Sequence, residues 1–130
     1  MFKKTLFSSF LLLVFFGCSS VNVRPLSELS DPRLIFEEGL KLVSAKEYNM
    51  AMDYFNFILT NYSQPENEKY YSWALYETGF CFYMLGDDKQ ALDHFNLVLG
   101  SAKTRGPRNL ASLLKDKISR GNGYKNTSYN

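Results

Sequence analysis

One histidine, two cysteines and thirteen carboxylates set the chemistry open to this 130-residue chain. Three Cys and His side chains leave little for a zinc cluster, a thiol–disulfide pair or a Cys/His nucleophile. His94 has Asp93 beside it in sequence, but neighbours in a helix point to different sides, and no Cys or second His stands at ligand spacing. It reads as a packing or surface histidine. Glu66, Glu68 and Glu77 form no acid–base pair beyond chance, whereas glycan hydrolysis needs two facing carboxylates. Asp87-Asp88 is explained by its place at a helix start, where capping and the helix dipole favour negative charge. No glycine-rich phosphate loop is present. These residues imply no enzyme, no metal and no cofactor. They point to a binding or scaffolding module.

The second candidate chemistry is lipid attachment. Lys3 and Lys4 precede an apolar run from Leu6 to Phe16, too short for a transmembrane helix and of the right length for a secretory signal. Gly17-Cys18-Ser19 follows at once. A small residue directly before a Cys at the end of such a run resembles a bacterial lipobox. That resemblance implies cleavage after residue 17, acylation (palmitate among the chains) at Cys18, and, with Ser19 next, an outer-membrane anchor facing the periplasm. Cys81 is then alone and reads as a small buried hydrophobe. Residues 18–31 are polar with one proline and read as a flexible tether, with a reach of about 20 Å.

The elements that follow are all helical. Asp31-Pro32 gives an N-cap and a first-turn proline for a helix to about Ala45. A second helix is expected at about Tyr48 to Asn61, and a third from Glu68 to Leu85, ended by Gly86. Asp87 with Gln90 starts a fourth, Asp88 to Gly100. Gly106-Pro107 is expected to break the chain. Arg108 to Arg120 forms a fifth helix with Asn109, Leu110, Leu113, Leu114 and Ile118 on one face. Residues 121–130 read as a disordered tail. No stretch alternates with period two, so the class is all-α, with one domain over residues 32–120.

The chain repeats itself with an offset of 40 residues. Glu37, Gly39, Ala51, Asp53, Phe55, Asn56 and Leu59 meet Glu77, Gly79, Ala91, Asp93, Phe95, Asn96 and Leu99. A glycine within a helix costs about 1 kcal/mol against alanine. Gly39 and Gly79 at matching places therefore mark a close approach of backbone, with Ala51 and Ala91 opposite and Phe55 and Phe95 filling the wedge. The pattern resembles the tetratricopeptide repeat, a 34-residue helix–turn–helix, with an insertion around Gln64 to Tyr70. The resemblance implies two helical hairpins and a C-terminal capping helix. It further implies a groove lined by the first helix of each hairpin. Arg33, Phe36, Leu40 and Val43 would face it from one hairpin, and Trp73, Tyr76, Phe80 and Tyr83 from the other. These four aromatic-rich positions are the candidate peptide-binding residues, since aromatic side chains dominate binding hot spots. The competing arrangement has the rings packed on one another or beneath the fifth helix.

Charge divides along the chain. Residues 28–99 hold 12 acidic and 5 basic side chains, residues 100–130 hold one and seven. The basic end could meet anionic lipid or an acidic partner, or fold back on the acidic repeats. Nothing in the balance calls for nucleic acid or a small-molecule substrate.

The stretches EYNMAMDYFNFILTNYS and YYSWALYETGFCFYMLGDDKQALDHFNLVL, behind a lipobox, look like the N-terminal part of the outer-membrane assembly lipoprotein family BamD. That resemblance implies a lipid-anchored scaffold working with the barrel protein BamA on unfolded outer-membrane proteins. It covers two repeats and a cap. The alternative is a tetratricopeptide adaptor for another envelope complex, of the division (Tol–Pal) or transporter-associated kind.

Overall fold

The computed structural model describes residues 20–62 and 65–127, with side chains to Gly121. Five helices follow in order: α1 (Pro32–Ser44), α2 (Tyr48–Asn61), α3 (Glu68–Met84), α4 (Asp88–Ser101) and α5 (Arg105–Thr127). The described residues contain no strand, and the fold is all-α. Each helix packs on the next in sequence, α3 also reaches α1, and α5 also reaches α3.

Local chemistry sets most of the boundaries. The Asp31 carboxylate accepts from the Arg33 N–H at 2.8 Å and Pro32 opens α1, a position that has no N–H to lose. Asp87 caps α4 by accepting from the Gln90 N–H at 3.1 Å. The two α–α turns have the same shape, with φ of 64° at Lys46 and 81° at Gly86. The matching helices α2 and α4 start and stop 40 residues apart, and α1 and α3 end 40 apart. α3 gains an extra first turn, Glu68–Tyr71, from the segment inserted between the repeats.

The close approaches expected from the glycines are present. A Cβ on Gly39 would lie 2.6 Å from the Phe55 ring, and one on Gly79 would lie 2.8 Å from the Phe95 ring. Phe55, Phe95, Ala51 and Ala91 are fully buried. Overfilling such a site costs about 1–3 kcal/mol. One core cluster joins Ile35, Leu42, Phe55 and Ile58 with Ala74 and Cys81 of α3. A second joins Tyr76, Phe95 and Val98 with Ala111 and Ile118 of α5. α3 contributes to both, so it is buried on several sides.

Four boundaries or faces differ from the expectations above. Residues 21–31 are not a free tether: they form a strap over the first hairpin, with a single 3₁₀ turn at Leu26–Glu28. Val21, Val23 and Leu26 pack on the core and Leu29 is buried in it. The Tyr54 hydroxyl donates to the Arg24 carbonyl at 2.7 Å, and that of Tyr62 to the Ser30 carbonyl at 2.7 Å. Alternating Val21, Val23 and later Leu26, Leu29 supply the apolar contacts that a polar average conceals. Gly106-Pro107 does not break the chain but lies inside the first turn of α5, where proline removes no helical hydrogen bond. The inward face of α5 carries Pro107, Ala111 and Ile118, while Leu110 and Leu113 are 39% and 66% exposed. Alanine at 111 lets the helix lie close and turns the leucines outward. Finally, α5 continues to Thr127, so residues 121–127 are helical rather than a tail; their two glycines weaken a helix but do not forbid it. Cys18 and residues 1–17 lie outside the described residues.

Candidate functional site: a groove between α1, α3 and α5

A cavity of about 310 Å³ opens between α1, α3 and the start of α5. Leu40, Val43 and Ser44 line it from α1, Tyr76, Glu77 and Phe80 from α3, and Leu110 from α5. The walls are apolar because the helices place i, i+3 and i+4 positions on one face. Leu40 and Val43 lie three apart, as do Glu77 and Phe80.

Of the four candidate aromatic residues, the structure brings two to this groove. Phe80 is half-buried and forms part of the wall. Tyr76 is buried, stacked on Phe80 with ring centres 6.4 Å apart and tilted against Phe95 at 5.9 Å. Trp73 meets Tyr76 edge-on at 5.9 Å but lies beneath the first turn of α5, where a Cβ on Gly106 would be 2.8 Å from its ring. Tyr83 stands at the far end, with the Lys117 ammonium 5.6 Å from its ring centre. The two arrangements foreseen for these rings are thus both present: Trp73 and Tyr76 pack, and Phe80 stays at the opening. Of their counterparts in α1, Leu40 and Val43 face the groove, Phe36 packs between Phe55 and Tyr70, and Arg33 is exposed.

Glu77 is the one carboxylate in the wall among the described residues. Among the described residues no hydrogen bond or ion pair meets its carboxylate, and burial pushes its pKa up to about 7. Its charge in turn adds to the burial that raises the Tyr76 hydroxyl and the Cys81 thiol, each to about 12. A thiol so shifted is an inert core group. The other notable carboxylates are satisfied. Burial alone would raise Glu38, but hydrogen bonds from Lys41 at 2.9 Å and Arg24 at 2.9 Å hold it below the usual range. Glu68 is likewise opposed by burial, yet Ser72, Thr104 and the Lys103 and Thr104 N–H groups bring it down to about 2. Glu68 thereby ties the loop before α5 to the first turn of α3. Arg108 donates to the Leu99 and Ala102 carbonyls at the end of α4, where a cation suits the helix dipole. His94 donates its Nδ1–H to the Gln90 carbonyl at 2.9 Å and packs on Phe82.

Type and spacing alone assign Glu77 and Glu68 no role and give no signal for Glu38. The repeat held a signal for the first. Glu37 has Arg33 four residues before it, and Glu77 has Trp73 there instead. A carboxylate whose cation has been replaced by a ring is a group in want of a partner.

No family model matches this chain, and no curated protein and no solved structure matches it. Among the described residues, no helix is long and apolar enough to cross a membrane, and no group of three His, Cys, Asp or Glu side chains is placed to hold a metal ion.

Proposed function

We propose that this protein is a lipid-anchored interaction scaffold of the tetratricopeptide kind, a BamD-like accessory subunit of the machinery that assembles outer-membrane β-barrels. It performs no catalysis itself. The observation that carries this proposal is the open apolar groove between α1, α3 and α5, built on two hairpins with the same Gly39–Phe55 and Gly79–Phe95 contact. Helical hairpins stacked in this way bind extended or helical segments along such a face. Acylation at Cys18 would hold the scaffold at the outer membrane, on its periplasmic side, among its client proteins.

The mechanism requires only docking. Phe80 and the aliphatic walls bury apolar side chains of the client, while the buried Tyr76 and the partly buried Trp73 keep α3 and α5 in register. The test is affinity capture of the tagged, lipidated protein from detergent-solubilised membranes, read by mass spectrometry. Stoichiometric BamA with outer-membrane proteins is expected. A reproducible partner set without BamA would replace this function with that of an adaptor for another envelope complex. Labelling with radioactive palmitate should mark the wild type and not C18A; an unlabelled wild type removes the lipid anchor from the proposal.

A further inference from the structure

The groove has a composition that narrows its ligand. Its walls are mostly aliphatic and aromatic, and its single acidic side chain is the Glu77 carboxylate, with no partner among the described residues. At about 310 Å³ it is at the small end of ligand sites, a size for one or two side chains rather than a cofactor. A lysine or arginine side chain has the matching form: a methylene stem that lies on apolar surface and a cationic head.

The first hairpin shows what the carboxylate lacks. There Glu37 accepts from Arg33 at 3.0 Å, on the surface, with both side chains about half exposed. In the second hairpin the same position in the repeat is turned into the groove, and Trp73 has displaced the arginine. A neutral or anionic insert would leave Glu77 desolvated and unpaired, which is costly. A cation removes that cost, and the Tyr76 and Phe80 rings beside it favour a cation further. No other charged side chain lines the groove among the described residues. Lys41 of α1 is held by Glu38, and Lys117 of α5 is over Tyr83.

We propose that the groove receives a lysine or arginine side chain from an apolar stretch of a partner polypeptide, with Glu77 as the counter-ion and Leu40, Val43, Phe80 and Leu110 around the stem. It rests on the groove being a docking site, as proposed above. It goes beyond that role by naming the residue type selected and by disfavouring a ligand that presents a carboxylate here.

The experiment uses the full chain and three short synthetic peptides of leucine, serine and phenylalanine. They differ at one central residue, which is lysine, its apolar isostere norleucine, or glutamate. Affinities are measured by fluorescence anisotropy for wild type, E77Q and, as a surface control, E37Q. The lysine peptide should bind wild type at least tenfold tighter than the norleucine peptide, and the glutamate peptide weakest. E77Q should abolish that preference and E37Q should keep it. Glu77 accepts no hydrogen bond among the described residues, so E77Q folds, and its melting curve verifies this. If all three peptides bind alike, or E77Q keeps the preference, the counter-ion role falls while the groove stands. If none binds to wild type, the docking site itself is overturned.

Discussion

The two hairpins share a core and differ in what covers it. In both, a ring from the second helix lies against a glycine of the first, and an alanine of the second helix is fully buried. The first hairpin is covered by the irregular strap of residues 21–31, fastened by the fully buried Glu38, which takes Arg24 and Lys41 as partners. The second has Thr78 in that place, its hydroxyl bonded to the Ala74 carbonyl at 2.9 Å, and is covered by α5 through Ala111 and Ile118. A peptide strap and a helix can therefore close the same interior. The strap does so with charge and hydrogen bonds, the helix with apolar contact. One residue earlier, the pair Glu37 and Glu77 shows the opposite assignment. The first hairpin pairs its carboxylate with an arginine at the surface, and the second leaves it in a groove, without a protein partner among the described residues.

The largest effects should come from what the hairpins share. Phe55→Ala and Phe95→Ala each remove a fully buried ring and should cost about 3–5 kcal/mol in urea unfolding. Equal costs would confirm equivalent cores, and a much smaller cost for one would break the comparison. Next is the strap. Arg24→Ala removes the guanidinium from buried Glu38, leaving it Lys41 and the backbone N–H of residue 24, and should cost about 1–3 kcal/mol, with faster amide exchange over residues 21–30 and little change in α4 or α5. Exchange rising equally in the second hairpin would show that the strap is not local to the first.

Acid should separate the carboxylates. Glu38 and Glu68 have folded-state pKa values below their ordinary ones, so the stability they give is present above about 4.5 and lost as pH falls, for Glu68 down to about 2. Glu77 is raised to about 7, so the folded state holds more protons than the unfolded between about 4.5 and 7, and stability declines as pH rises through that window. Glu77→Gln should therefore stabilise the protein at pH 8, on the order of 1 kcal/mol, and make no difference below about pH 4.5. A gain that persists in acid would remove burial as its cause. The smallest effect is in the turns. Lys46→Gly gives the first turn the residue of the second at a positive φ and should raise stability by about 0.5–1 kcal/mol. Gly86→Lys should lose a similar amount.

Much of this was legible in the residues because helices advertise themselves locally. Asp31-Pro32, Asp87 and Gly86 mark ends, and the repeated glycine and phenylalanine mark contacts between helices that any 40-residue offset reveals. The covering elements were harder to see. The strap contains only four apolar residues between Val21 and Leu29, and its affinity for the first hairpin depends on Glu38, Tyr54 and Tyr62, which are scattered over the next two helices. The facing of α5 is only partly legible for a related reason: Leu114 and Ile118 turn inward as their spacing predicts, whereas Leu110 and Leu113 do not. Leu110 and Leu113 are more apolar than Ala111, but the space against α4 and α3 admits the small residue. The groove was foreseen in part. Tyr76 and Phe80 stand in its wall, whereas Trp73 is taken up by Gly106, a contact between residues 33 apart that no local pattern displays.

The strap also has a consequence in time. Nearly all the helix contacts join neighbours in sequence, and such topologies form quickly because little chain must be closed before contacts are made. The strap's hydrogen bonds span 14, 30 and 32 residues and have no surface to attach to until α1 and α2 have met. It should be the last part of the first hairpin to settle and the first to leave. On a chain that emerges N-terminus first during synthesis, this segment would then wait, unattached, for about forty residues to follow it.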